Sequence, residues 1–226
     1  MINKILKYNL FNIWKTTKKR YKNNRNFSII KNLNKDFTQF KLKNILDRSK
    51  TNHKLEIMNQ INLKEAHMYS KINNLSGQES GPLIENYIKT KYNMIKNNPS
   101  SCIGDLNYKQ KNLEIKVSNG GKYNDKFNYV QLRMNHNCDY IFTAYYLDYN
   151  NLNTYGELFI FKLNKEQLKK IILDYGSYAH GTIQKLGPIT KKDLDNINND
   201  KEYALRPKYG DNCWNALLQF RINEIK

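Results

Sequence analysis

Ile103-Gly104-Asp105-Leu106, the polar run Asn107-Tyr108-Lys109-Gln110-Lys111, and then Asn112-Leu113-Glu114-Ile115-Lys116-Val117 form the stretch on which the reading of this chain turns. The last segment reads as a short strand, in which residues two apart share a face. Leu113, Ile115 and Val117 then point to a core, while Glu114 and Lys116 project together on the other side. The polar run between the two apolar segments reads as a turn, so the whole folds as a hairpin that brings Asp105 beside Glu114. Two carboxylates and an ammonium group converge on one spot.

That constellation has a chemistry. A hard divalent cation takes oxygen ligands, and magnesium is held by one or two carboxylates together with waters and a substrate phosphate. Asp105 and Glu114 supply the pair. An ion between them polarises a phosphate and acidifies water, and Lys116 positions that water or stabilises developing negative charge. By spacing alone, Glu114 and Lys116 are also readable as solvated charges on an edge strand, a surface pair of little energetic consequence. The neighbouring segments bear on the choice.

Leu83-Ile84-Glu85-Asn86-Tyr87-Ile88 reads as a helix, with Ile84, Tyr87, Ile88 and Tyr92 recurring at helical spacing. Phe127-Asn128-Tyr129-Val130-Gln131-Leu132-Arg133 and Cys138-Asp139-Tyr140-Ile141-Phe142-Thr143-Ala144-Tyr145 stand where the resemblance given next implies a helix after the catalytic strand and then a buried strand. Taken with Gly104-Asp105 and Glu114-Ile115-Lys116, these parts resemble the PD-(D/E)XK nuclease superfamily, which includes most type II restriction endonucleases, Holliday junction resolvases and some homing enzymes. The resemblance covers residues 76 to 145, with Gly104 standing where the motif has proline. It implies an α/β, restriction-endonuclease-like core, a mixed central β-sheet flanked by helices. It also implies Mg2+ bound by Asp105 and Glu114, the attacking water served by Lys116, Glu85 contacting metal through water, and Gln131 bracing the site. Without the resemblance, Glu85 is an exposed helix charge favoured by the helix dipole, and Gln131 is a polar residue of the site wall or of the solvent-facing surface.

The 226 residues suit one domain with an appendage. A formal charge of +18 and a pI of about 9.6 favour a polyanionic partner, because each cation set against phosphate releases condensed counterions. Lys, Asn, Ile and Tyr are enriched together, as an AT-rich coding sequence also produces. Residues 1 to 75 hold 17 Lys+Arg against 4 Asp+Glu, so a net +13 of the +18 lies there. The expected division is a basic, Lys/Asn-rich extension over 1–66, helical or partly disordered, and a nuclease-like domain over 67–226. Trp14 to Arg25 interleaves aromatics with cations, among them Lys18, Lys19 and Arg20, a composition suited to phosphate contact and stacking. The same stretch is also readable as a solubilising arm or, lacking acids before Asp36, as a targeting segment.

No stretch approaches the roughly 18 uninterrupted apolar residues of a membrane span. Cys102, Cys138 and Cys213 are odd in number and widely separated, with no Cys-x-x-Cys, so the spacing suggests neither a disulfide framework nor a zinc site. An intracellular protein without a secretion signal is the expectation. Tyr155 to Leu163 reads as a further strand, Lys165 to Leu173 as a helix capped by Asn164, Tyr175 to Ile183 as a Gly/Tyr-rich loop, Tyr203 to Lys208 as a loop and Asp211 to Phe220 as a closing helix. Arg133, Asn135 and His180, with Gln184 and Arg206, are candidate DNA contacts, since Arg, Asn and Gln fork onto purine edges. His136 and His180 stand in no nucleophile–base constellation and read as hydrogen-bonding loop residues. Val117 to Tyr123 lacks the phosphate-loop pattern. The expected activity is Mg2+-dependent hydrolysis of double-stranded DNA, most like a type II restriction enzyme acting as a homodimer. A resolvase, a homing-type nuclease and a noncatalytic basic nucleic-acid-binding protein are the alternatives.

Overall fold

In a computed structural model that describes residues 61–72, 75–98, 102–120, 125–147 and 156–225, the chain is a mixed α/β protein. Its elements begin with helices α1 (Leu63–Ile72) and α2 (Gly77–Lys91) and strands β1 (Ile95–Lys96), β2 (Leu106–Tyr108), β3 (Lys111–Gly120), β4 (Tyr129–Arg133), β5 (Asp139–Tyr146) and β6 (Glu157–Leu163). They continue with α3 (Lys165–Tyr175), β7 (Ser177–Tyr178), α4 (Ile183–Leu186), α5 (Lys191–Asp195), β8 (Glu202–Leu205), α6 (Asn212–Leu218) and β9 (Arg221–Ile222). A six-stranded sheet runs in the order β1-β2-β3-β5-β6-β9, and a three-stranded sheet in the order β4-β8-β7.

The large sheet is mixed because β3 pairs parallel with β5, from Leu113 opposite Asp139 to Gly120 opposite Tyr146, while its other pairings are antiparallel. Its central strands are covered on both faces, and strict alternation divides their side chains between two cores. Leu113, Ile115, Ile141 and Ile160 pack with Ile61, Leu63, Ala66, Ile84, Tyr87 and Ile88 on the side of α1 and α2. Tyr140, Phe142, Ala144, Phe159, Phe161 and Leu163 face the opposite side, against Leu168 and Ile172 of α3, Trp214 and Leu217 of α6, and the small sheet. Ile61, Leu63 and Ala66 are core residues, so the packed domain reaches back at least to Ile61, ahead of the expected division after residue 66. Lys18, Lys19 and Arg20 lie outside the described residues.

Local chemistry explains where the helices begin. Asn164 accepts from the Gln167 amide and Gln167 returns the bond to the Asn164 amide, each at 2.8 Å, which starts α3 as the sequence predicts. At α2, Glu79 takes the Ser76 amide and hydroxyl at 2.9 Å. Asp211 caps α6 through the Trp214 amide.

Two segments depart from the sequence reading. Residues 127 to 133, expected as a helix, hold strand β4, and residues 203 to 208, expected as a loop, overlap β8, with which β4 pairs. In β4 the inward side chains are Phe127, Tyr129, Leu132 and Met134. A register shift between Tyr129 and Leu132, with Gln131 at φ 57°, inserts one extra residue between two alternating pairs. The resulting three-residue step imitates helical spacing. The segment after α3, expected as a loop, contains the two-residue strand β7. Among the described residues no helix is long and apolar enough to cross a membrane.

A polar layer joins α1 to the far end of β3. The Asn119 amide donates to Ser70 Oγ at 3.2 Å, which turns its carbonyl oxygen toward His67 Nδ1 at 2.8 Å, so Nδ1 carries the proton. Lys71 Nζ donates to the Gly120 carbonyl oxygen. His67 is fully buried, and burial outweighs the Asn119 bond to push its pKa down to about 4. The unfolded chain, with an ordinary histidine near 6.5, therefore takes up this proton first. The stability tied to neutral His67 is complete above pH 6.5 and is lost as pH falls toward 4. Denaturant unfolding of wild type and His67→Gln across that window will show the wild type losing about 3 kcal/mol more than the variant.

Candidate active site

Asp105 is the last residue before β2, and the β2–β3 pairing sets Leu106 opposite Leu113 and Tyr108 opposite Lys111. The same register carries Asp105 alongside Glu114, as the hairpin reading predicts. The chain ahead of Asp105 is fastened from both sides. The Asn97 amide donates to the Asp105 carbonyl at 2.9 Å, and its side chain donates to the Gly104 carbonyl at 3.1 Å. The Asn137 amide holds the Cys102 carbonyl at 2.8 Å. Gly104 itself has φ +80°, and a Cβ there would stand 2.9 Å from both Cys138 Cβ and the Leu113 carbonyl oxygen. Proline, locked near φ −65°, does not fit this backbone. The glycine in the motif's proline position is thus a requirement of the turn that presents Asp105.

Glu114 and Lys116 share a face of β3, as period two dictates, and Lys116 Nζ lies 2.7 Å from Glu114 Oε1. Glu114 is 4% exposed, and its Oε2 has no hydrogen-bond partner among the described residues. An ionised carboxylate oxygen buried without a donor is costly.

Glu85, on α2, belongs to the same cluster. Burial first, with Asp105 and Glu114 adding repulsion against the opposing pull of Lys116 and Lys96, pushes its pKa up to about 7. Glu85 and Asp105 line an open cleft of about 370 Å³ together with Pro82, Lys89, Lys96 and Asn97. A wider cleft of about 800 Å³ lies beside Ile61, but no comparable group of carboxylates meets there. Three carboxylates and three lysines therefore gather where α2 meets the β1–β2–β3 edge of the sheet.

The chain matches no family model, no curated protein and no solved structure.

The remaining candidates are dispersed. Gln131, expected on a helix bracing the site, is the exposed residue of the β4 bulge. Arg133 forks onto Glu202 Oε1 through Nε at 2.9 Å and Nη2 at 2.6 Å, and the largely exposed His180 approaches the other Glu202 oxygen at 3.3 Å. Asn135 is half-buried, with Oδ1 lacking a partner among the described residues.

Two residues stand against Glu114 that the sequence reading kept out of the site, His136 as a hydrogen-bonding loop residue and Cys138 as a cysteine in no zinc pattern. One donor atom from each of Glu114, His136 and Cys138 lies within 4.8 Å of the others. His136 and Cys138 are separated by one residue at the head of β5, the parallel partner of β3, so only that long-range pairing brings them to Glu114. Burial lowers the His136 pKa, partly offset by the nearby Glu114, and raises the Cys138 thiol to about 12. The His-x-Cys spacing in the connection ahead of β5 was the one sequence signal available.

Replacing Gly104 by alanine places a side chain at a positive φ and against Cys138 and the Leu113 carbonyl. Thermal or denaturant unfolding will show Gly104→Ala destabilised by about 1–3 kcal/mol, whereas Gly77→Ala, with open space around its Cβ, will change stability by less than about 1 kcal/mol.

Proposed function

We propose that this chain is a magnesium-dependent endonuclease of the PD-(D/E)XK kind, with a restriction-endonuclease-like core, hydrolysing phosphodiester bonds of double-stranded DNA. The observation that carries the reading is that the β2–β3 register sets Asp105 opposite Glu114, which holds Lys116, while Asp105 and the nearby Glu85 line one open cleft. The donors suit the ion. Magnesium takes carboxylate oxygens, and Glu114 Oε2, without a hydrogen-bond partner among the described residues, and Asp105 in the facing register position offer them.

In this reading Asp105 and Glu114 hold the ion, which when bound supplies Lewis-acid polarisation of the scissile phosphate and a more acidic water. Lys116, anchored on Glu114 Oε1, keeps its remaining ammonium protons for the attacking water or for charge developing on the phosphate. Glu85 provides a third carboxylate to the solvent shell of the site. Lys89 and Lys96, lining the same cleft, meet the flanking backbone phosphates. The overall charge of +18 supports a polyanionic substrate. Cutting both strands at a short palindrome uses two copies related by a twofold axis, so the active form is a homodimer.

The test is incubation of purified wild type, Lys116→Ala and Asp105→Asn with a long, sequence-diverse duplex and with a four-way junction, each with Mg2+ or chelator. Wild type with Mg2+ gives discrete duplex fragments, and each variant cleaves at least about 100-fold more slowly while retaining most salt-sensitive DNA binding. Cleavage of the junction alone would reassign the substrate to a resolvase type. Intact DNA throughout would leave a noncatalytic binding protein.

Ion binding has a readout that needs no substrate. Mg2+ at one hundred times its dissociation constant will stabilise the wild type by about 2.7 kcal/mol, seen as a raised unfolding midpoint, and Asp105→Asn will abolish that rise.

A further inference from the structure

We propose that Glu114, His136 and Cys138 form a second, zinc-type metal site that draws on the same Glu114 carboxylate as the magnesium site. The proposal stands on three donors of different character meeting at one point. Their ligand atoms lie within 4.8 Å of one another. Bond lengths of about 2.0–2.3 Å to zinc set tetrahedral donors about 3.3–3.8 Å apart, so closure requires a movement of about 1 Å, within reach of side-chain rotation.

The donor set selects the ion. A thiolate and an imidazole are poor ligands for magnesium or calcium, whereas zinc accepts sulfur, nitrogen and oxygen together. Three protein ligands leave a fourth tetrahedral position for water, the arrangement of an open rather than a closed structural site. A separate observation points to a ligand in the same place. Glu114 is 4% exposed, and among the described residues its Oε2 has no hydrogen-bond partner while Oε1 is taken by Lys116. Binding forms the sulfur–metal bond as the Cys138 S–H proton passes to solvent, with no change of oxidation state.

The arrangement has a regulatory consequence, which rests on the nuclease reading. One partnerless oxygen serves two sets of ligands. With Asp105 it completes an oxygen site for a hard cation, and with His136 and Cys138 it completes a site for a softer one. An ion in the second site engages Glu114 and removes it from the first. Zinc is therefore an inhibitor of magnesium-supported cleavage, acting from a pocket on the neighbouring strand.

Cobalt(II) titration of the reduced protein tests the site apart from any cleavage. Wild type and Cys102→Ser are expected to develop a thiolate-to-cobalt charge-transfer band saturating at one equivalent, and one equivalent of Zn2+ to bleach it. Cys138→Ser loses the band, and His136→Gln, a change at a half-exposed side chain that guards against misfolding of the buried variant, weakens cobalt binding more than about 10-fold. Asp105→Asn, which removes the magnesium ligand, keeps the band. No band in the wild type, a band that survives Cys138→Ser, or one that disappears with Cys102→Ser overturns the proposal. Because none of these readings involves DNA, failure of the zinc site and failure of the nuclease reading are recorded separately. Where cleavage is present, Zn2+ that leaves the wild-type rate unchanged at saturation of the cobalt-competed site overturns the inhibitory role alone.

Discussion

Strand β3 is paired on one side with an antiparallel neighbour and on the other with a parallel one, and every feature of the candidate site follows from those two registers. The antiparallel partner sets Asp105 against Glu114. The parallel partner brings the head of β5, with His136 and Cys138 just ahead of it, to the opposite flank. Because side chains alternate, the same pairing sends Leu113 and Ile115 into the core beneath α1 and α2. A one-residue slip of β3 would exchange these faces, burying Lys116 among isoleucines and exposing the residues that hold α2 in place. Core packing therefore enforces the geometry of the polar cluster without any contribution from the polar groups themselves.

Those polar groups work against the fold. Glu114 is buried against Lys116, and Glu85 resists ionisation first because it is largely buried and then because Asp105 and Glu114 repel a further charge. Removing charges from water costs more than one pairing returns unless the remaining lone pairs are also satisfied. The two hydrophobic cores on either side of the sheet supply the stability that tolerates this cluster. His67 contributes to the same pattern from α1, a neutral histidine held at the opposite end of β3.

Much of this was legible in the chain. The strand reading of residues 112 to 117 depends only on alternation, and α2, α3 and α6 carry helical spacing or caps that act within a few residues. The mixed sheet flanked by helices was an implication of the resemblance, and the structure has a sheet of that kind. What failed did so for identifiable reasons. The helix expected over residues 127 to 133 came from the resemblance alone, and the bulge at Gln131 hid the strand by breaking the alternation of Phe127, Tyr129, Leu132 and Met134, in and beside β4, into a step of three. Tyr203, Ala204 and Leu205 are buried in succession, and the adjoining Arg206-Pro207 gave a turn signal that masked a short covered strand. His136 and Cys138 escaped because their relation to Glu114 exists only through the β3–β5 pairing, some twenty residues distant along the chain.

The large sheet also ends in a particular way. Both of its outermost strands, β1 and β9, are two residues long, and each carries a cation, Lys96 on one and Arg221 on the other. Unpaired backbone at a sheet margin is a template on which further chains can add, and short, charged margins give such growth little purchase. A protein with this many aromatic residues in two cores needs that protection while it folds, when the interior strands are still uncovered. The price of brevity at the β1 margin is paid back in access, since a longer strand there would wall off the cleft in which Glu85 and Asp105 meet. Resistance to fibrillar self-association and an open approach to Glu85 and Asp105 are thus two outcomes of one truncated edge.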